Sequence, residues 1–175
     1  MESENTRFAK KCTDLEIKSA NFISLYVASY QFQPTLGYAD IIQSIHEVVM
    51  NFIGAEKFGI YVKGEKPDSL VLAKAEGQHD KITDSISLPE NSFFSQIARD
   101  GELFLQEQGQ NSSDKDRPLA IIPLITSSQL VGMIIIYKLL VQKKQFGAID
   151  TELMEVLRRH AGAALLAARM AATSA

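Results

Sequence analysis

Side chains of the types that catalyse reactions are few in this sequence, and their spacing does not assemble a site. Cys12 is the only cysteine among 175 residues, so the chain can form neither an internal disulfide nor a pair in which one thiol resolves the other. Ser92 has no evident base nearby in the sequence, and no Gly-x-Ser-x-Gly, P-loop or dinucleotide-binding motif occurs. We therefore expect that the protein is not an enzyme.

The three histidines are the candidates for binding a metal ion or a haem. His46, His79 and His160 lie in different segments, and no pair has the His-x-x-x-His spacing that puts two ligands on one helix face. Zinc and iron sites need several ligands that converge. We expect no bound metal and no cofactor.

The bulk composition is that of one folded domain. Hydrophobic residues make up 46% of the chain and charged residues 22%, and the formal net charge is −3. The basic residues are scattered, which argues against a nucleic-acid partner. The start of the chain is polar and acidic, unlike a signal peptide, and the apolar run 130–137 is far shorter than the ~20 residues of a membrane-spanning helix. We expect a cytoplasmic protein with no membrane partner.

Hydrophobic periodicity predicts helices at the two ends of the chain and strands between them. Apolar residues at helical spacing, bounded by capping residues, Gly or Pro, indicate helices at 13–32, 38–52, 92–99 and 150–172. Alternating or short apolar runs between turn residues indicate strands at 58–62, 70–75, 86–88, 102–105, 119–125 and 130–139. The polar segment 106–117 is predicted to be a loop.

Three residues or short runs refine these elements. Pro123 indicates a bulge or an edge position in its strand, because proline cannot donate a backbone hydrogen bond. Residues 133–136 are apolar on both faces, which favours a strand in the middle of a sheet that is covered on both sides. Asp150 is predicted to cap the last helix.

Both terminal helices are apolar on more than one side, which indicates burial on a second side as well as against the domain. In the first helix the extra apolar side chains are Phe22, Tyr26, Val27 and Tyr30. In the last helix a second stripe contains Ala163 and Ala167, where small side chains would allow close helix packing. We predict a homodimer formed through a helical bundle, with residues 1–36 as a helical dimerisation segment and 37–172 as the main domain.

The order of motifs in the second half of the chain is more specific. The strand Ala-Ile-Ile-Pro-Leu-Ile at 120–125 is followed by a polar turn, by Leu-Val-Gly at 130–132, and by Phe146 and Asp150 ahead of a leucine- and alanine-rich helix. This order resembles a GAF domain, and the strand 58–62 after a long helix fits the same pattern. The resemblance implies an α/β fold of the α+β kind, GAF/PAS-like or profilin-like, with a central antiparallel sheet flanked by helices.

Several functions found among GAF domains depend on residues that this sequence lacks. Free methionine sulfoxide reductases of the family use several cysteines, and phytochrome-type domains attach a bilin through a cysteine; residues 37–172 contain none. The Asn-Lys-Phe-Asp-Glu set of cyclic-nucleotide-binding members has no counterpart here. The resemblance therefore implies a non-catalytic signalling or regulatory domain that acts through another signalling protein.

The resemblance also implies where a small-molecule effector would bind, namely between the sheet and the segment 92–117. Phe93, Phe94, Ile97 and Ile122 would form its apolar wall, and Arg99 would meet an anion. The alternative interpretation is that the two phenylalanines close the core and that Arg99 is a solvated cation at a helix end. A sensor with an effector pocket is thus the second functional hypothesis.

Overall fold

The computed structural model describes residues 6–11, 37–78, 80, 82–106 and 117–174. Residues 6–11 are helical. The whole of the first predicted helix, 13–32, lies outside the described residues, and with it Phe22, Tyr26, Val27 and Tyr30. Most of the predicted loop 106–117 also lies outside them.

Six strands form one antiparallel sheet in the order β3-β2-β1-β6-β5-β4. Their bounds are β1 Ala55–Lys63, β2 Ser69–Glu76, β3 Ser85–Ser87, β4 Phe104–Leu105, β5 Ala120–Thr126 and β6 Gln129–Leu139. All six predicted strands are confirmed, and so is the predicted α+β class with helices flanking a central antiparallel sheet.

The helices begin and end close to the predicted residues. Helix α1 (Tyr38–Glu47) continues into a π-helical turn (Val48–Ile53) and stops at Gly54, whose φ of 77° is left-handed. Helix α2 spans Phe93–Asp100. Helix α3 (Ala148–Val156), a π-helical turn (Leu157–Ala161) and helix α4 (Gly162–Thr173) follow one another without interruption and are together called the last helix. Among the described residues, no helix combines the length and apolar character needed to cross a membrane.

The last helix begins two residues earlier than predicted. Asp150 caps it from inside the first turn, since its Oδ2 accepts a hydrogen bond of 2.6 Å from the Gly147 N–H. Its Oδ1 accepts from Lys143 Nζ at 2.5 Å, and the same ammonium donates to the Ile53 carbonyl at 2.5 Å. Asp150 thus caps the last helix and, through Lys143, ties it to the end of the π-helical turn that follows α1.

The sheet separates two apolar cores. The helix-side core lies under α1 and the last helix and takes Phe58, Ile60, Ile134 and Ile136 from the sheet. The α2-side core lies on the opposite face and contains Tyr61, Ile121, Met133, Ile135 and, from α2, Ile97. Residues 133–136 are completely buried, which confirms β6 as a central strand covered on both faces.

Gly132 allows β6 to approach β1 closely. It pairs with Val62, and a Cβ at this position would overlap the Tyr61 carbonyl oxygen. Pro123, in β5, pairs with Met133 of β6, whereas β4 pairs only with Ala120 and Ile121. Pro123 therefore has no strand on its other side among the described residues, and the register shifts just after it, between Leu124 and Ile125.

Candidate functional site

Helix α2 is held against the sheet by a capped start and a glycine stop. The Ser92 Oγ accepts from the Ser95 N–H at 3.1 Å, and Gly101 ends the helix with a φ of 69°. Ser95 is itself buried and donates from Oγ to the Pro89 carbonyl at 2.7 Å. Both serine hydroxyls are thus engaged in holding the helix start.

The two phenylalanines of α2 pack into an aromatic group. The Phe93 ring lies 5.7 Å from that of Phe94 and 5.0 Å from that of Phe104, to which it is perpendicular. Arg117 covers the Phe93 ring at 5.1 Å, a cation–π distance. Both rings pack against the α2-side core together with Ile97. Phe93 and Phe94 therefore close this core, and neither lines the two cavities described below.

The prediction that Ile122 of β5 lies on the same face of the sheet as Phe93 and Phe94 is wrong. Ile122 belongs to the helix-side core, whereas Ile121 packs in the α2-side core. Successive side chains of a strand point to opposite faces, so the predicted wall of Phe93, Phe94, Ile97 and Ile122 cannot form around one cleft.

Arg99 lies at a separate cleft of about 330 Å³ near the end of α2. Leu70, Leu88, Ala98 and Leu130 supply apolar surface to this Arg99 cleft; its other lining residues are Lys63, Asp68, Ser69, Glu90, Ser95 and Arg99. Within the described part of the chain, none of its four charged side chains forms an ion pair. The structure thus separates Arg99 from the phenylalanines with which the sequence grouped it.

A second cavity, of about 490 Å³, was not predicted from the sequence. It is called the Lys57 cavity here and is lined by Glu56, Lys57, Gly77, Gln78, Asp80, Tyr137 and Lys138. Lys57 is only 8% exposed and pairs with the carboxylate of Asp80, whose side chain is 64% exposed. Lys138 Nζ pairs with Glu56 at 2.6 Å on the wall. The sequence signal was slight, because Lys57 lies one residue before the predicted strand 58–62.

Two tyrosine hydroxyls lie beside this cavity. Tyr61 is completely buried with its ring over Gly59, and its Oη has no hydrogen-bond partner among the described residues. Burial raises the pKa of Tyr61, an effect that the nearby hydroxyls of Thr83 and Tyr137 oppose. Burial, followed by the Tyr61 hydroxyl, raises the pKa of Tyr137 far above its usual range. The hydroxyls are thus close neighbours, but no described residue meets the Tyr61 hydroxyl with the alignment of a hydrogen bond.

The two histidines that the structure describes, His46 and His160, lie apart. His46 is buried, lies 5.2 Å from the Phe58 ring and shares a 2.9 Å contact between Nε2 and Glu76 Oε2. His160 is exposed on the last helix, and His79 lies outside the described residues. Within the described ranges, no three side chains of His, Cys, Asp or Glu come together as a metal site would require.

The last helix presents one stripe to the core and leaves another uncovered. Leu157, Ala161 and Leu165 are completely buried. Ala163 and Ala167, the residues predicted to meet a second subunit, are exposed, and Met170 is 63% exposed. This exposed stripe continues toward the helix start as a groove of about 570 Å³ that includes Val156.

The comparisons with known proteins agree with this architecture. A family model described as GAF domain matches residues 38–167. No curated protein matched the chain. Three solved structures illustrate the similarity. Their sequence identity to this chain is low, so they support a shared fold and not a shared function. The GAF domain of a phosphoenolpyruvate-protein phosphotransferase from Coxiella burnetii is 16% identical, with 87% of this chain and 96% of that chain covered and a TM-score of 0.67.

The other two structures come from proteins with different descriptions. A methyl-accepting chemotaxis protein is 13% identical, with 82% and 98% covered and a TM-score of 0.60. The free methionine-R-sulfoxide reductase of Neisseria meningitidis, in complex with its substrate, is 18% identical, with 85% and 87% covered and a TM-score of 0.54. Since the family model spans most of the sheet and helices described above, this chain belongs to the GAF domain family, whose members are generally regulatory or sensor domains.

Proposed function

We propose that this chain is a non-catalytic regulatory domain that forms a homodimer through its helices and acts through a protein partner in signalling. The observation that carries the proposal is the exposed stripe of the last helix, with Ala163, Ala167 and Met170. Apolar surface of this kind, next to a buried stripe on the same helix, favours packing against another helix. Small residues in the stripe let two helix backbones approach closely.

The same helix is connected to α2, which gives a route for regulation. Arg158 Nη1 donates to the Gly101 carbonyl at 2.7 Å, at the end of α2. A partner bound along the last helix would therefore contact an element whose other side holds α2. The serine hydroxyls of α2 are hydrogen-bonded to each other and to a carbonyl, which supports a non-catalytic role.

The homodimer is tested by light scattering at micromolar concentration with Ala163→Glu/Ala167→Glu. We expect a mass of twice the chain for the wild type and of one chain for the variant, because two carboxylates in the helix interface would repel their counterparts. Ala73→Glu, at an exposed position of β2, is the matched control and should remain dimeric. A folded wild-type monomer at this concentration contradicts the proposal.

A second candidate function is that of a small-molecule sensor, favoured by the Arg99 cleft. Its apolar surface, and charged side chains that form no ion pair with any described residue, are typical of a small ligand site, although its volume is at the low end of the usual range. Native mass spectrometry of the purified protein tests this role. A retained ligand that is lost in Arg99→Ala supports the sensor, and a ligand-free protein that also binds nothing from a metabolite and nucleotide panel contradicts it.

A further inference from the structure

The Lys57 cavity differs from the Arg99 cleft because it holds a buried cation. Removing an ammonium group from water is costly unless a negative group compensates it. One compensating group here is the carboxylate of Asp80, which is 64% exposed. Lys57 is thus fixed in the interior, whereas its partner remains largely in solvent.

The charges that line this cavity specify what else would fit. Glu56 and Lys138 pair with each other on the wall, and Lys57 pairs with Asp80. The four described charges therefore cancel. A ligand that replaces the Asp80 carboxylate must bring one negative charge to keep this balance, so a monoanion fits and a dianion exceeds it.

The tyrosines add hydrogen-bond donors to this charge. Tyr137 lines the cavity, and the buried Tyr61 hydroxyl beside it has no partner among the described residues. A buried polar group without a partner is rare in folded proteins and indicates an absent water or ligand. If Tyr137 donates to an oxygen in the cavity, its own oxygen is left to accept the Tyr61 proton, and both hydroxyls are satisfied.

We infer that the Lys57 cavity binds the carboxylate group of a small monoanionic molecule, which replaces the Asp80 carboxylate at Lys57 and accepts a hydrogen bond from Tyr137. Asp80 then acts as an internal competitor of the ligand. The volume of about 490 Å³ lies within the ~300–1,000 Å³ of ligand pockets. This site is separate from the helix stripe and from the Arg99 cleft, so it stands or fails independently of the homodimer.

The test is an NMR titration of the full chain with benzoate, benzamide and inorganic phosphate as probes, followed through the backbone amides of Gly77 and Gln78. Benzoate carries one carboxylate, benzamide has the same shape without charge, and phosphate is an anion of higher charge. We expect saturable shifts with benzoate, at least tenfold weaker binding of benzamide, and weaker binding of phosphate.

Two variants identify the site and the competitor. Lys57→Met, similar in length but uncharged, should weaken benzoate binding at least tenfold, whereas Lys63→Met, an exposed lysine on the same strand in the Arg99 cleft, should leave it unchanged. Asp80→Asn should tighten binding about fivefold, the factor that corresponds to the ~1 kcal/mol of a largely exposed ion pair. A merely structural Lys57–Asp80 pair would not give this gain.

Each contrary result overturns the inference. Absence of saturable shifts with benzoate at tens of millimolar, equal binding by benzamide, or unchanged binding in a folded Lys57→Met protein would show that Lys57 does not recognise a carboxylate. Tighter binding of phosphate than of benzoate would exclude the monoanion assignment. Asp80→Asn with unchanged or weaker affinity would exclude Asp80 as a competitor.

Discussion

Arg158 of the last helix donates a 2.7 Å hydrogen bond to the carbonyl oxygen of Gly101, the residue at which α2 ends. The same guanidinium pairs with Glu155 at 2.9 Å on its own helix. Gly101 is buried, and a Cβ there would contact the Ile125 side chain. The helix that carries the exposed stripe and the helix that covers the α2-side core are therefore joined through one side chain.

The first prediction concerns this connection. Arg158→Met should lower the free energy of unfolding by ~1.5–3 kcal/mol, the range for a hydrogen bond that involves a charged group. Urea denaturation monitored by circular dichroism measures the change. Arg159→Met is the matched control, because the Arg159 side chain is 72% exposed and its contact with Glu155 is long, at 3.7 Å. This variant should lower the free energy of unfolding by less than ~0.5 kcal/mol. Equal effects of the two variants would contradict a special role for Arg158.

The second prediction concerns the close approach of β6 to β1. Gly132→Ala places a methyl group against the Tyr61 carbonyl oxygen in the middle of the sheet, and we expect a loss of ~3 kcal/mol or more, since backbone must move. Gly147→Ala is the control, because its Cβ would meet only Asp150 Oδ2, at 3.7 Å. A melting temperature for Gly132→Ala equal to that of the control would show that the strands separate easily.

The third prediction concerns the central strand. Ile134→Asp introduces a carboxylate into the helix-side core, where the native side chain is completely buried. The cost should be several kcal/mol, roughly 3–5 by analogy with uncompensated buried charges, and the protein should be unfolded or insoluble. Val71→Asp, at a strand position that is 44% exposed, should fold. Recovery of soluble Ile134→Asp with an unchanged thermal transition would contradict the assignment.

The fourth prediction concerns alkaline pH. Burial raises the pKa of Tyr61 and Tyr137 above the ordinary value of 10.0, so the folded protein keeps protons that the unfolded chain loses. The contribution of these two tyrosines to the free energy of unfolding should therefore not change with pH below about pH 10. Above about pH 10 this contribution should make the free energy of unfolding fall as the pH rises. Tyr61→Phe/Tyr137→Phe should make that fall shallower, as measured by urea denaturation in steps up to about pH 11. The same slope in wild type and variant would exclude these hydroxyls as its source.

Local patterns in the sequence were sufficient for most of the helices and strands that the structure describes. The polar residues before α2, the glycines that end the two predicted helices 38–52 and 92–99, and the doubly apolar run in β6 each have a local physical meaning, and the structure confirms them. Ile122 shows where such reasoning ends. Residues 120–125 are apolar throughout, so the sequence contains no alternation that tells which side chains face α2.

The two cavities depend on contacts between distant parts of the chain. Lys57 meets Asp80 only because the segment after β2 returns to the start of β1. Arg99 lies six residues from Phe93, yet the short helix directs the two side chains to different surroundings. Neither result follows from composition or spacing alone, because both depend on how the helix and the strands are placed relative to one another.

The short outer strands have a consequence for aggregation. The two edge strands, β3 and β4, contain three and two residues. Because β4 pairs only with the first two residues of β5, the outer edge of β5 at Pro123 pairs with no strand among the described residues. Long, regular edges allow sheets of different molecules to join into fibrils, whereas short edges and a proline without an N–H interrupt that ladder. Pro123→Val would restore the missing donor, and concentrated solutions of that variant should form thioflavin-positive aggregates sooner than the wild type.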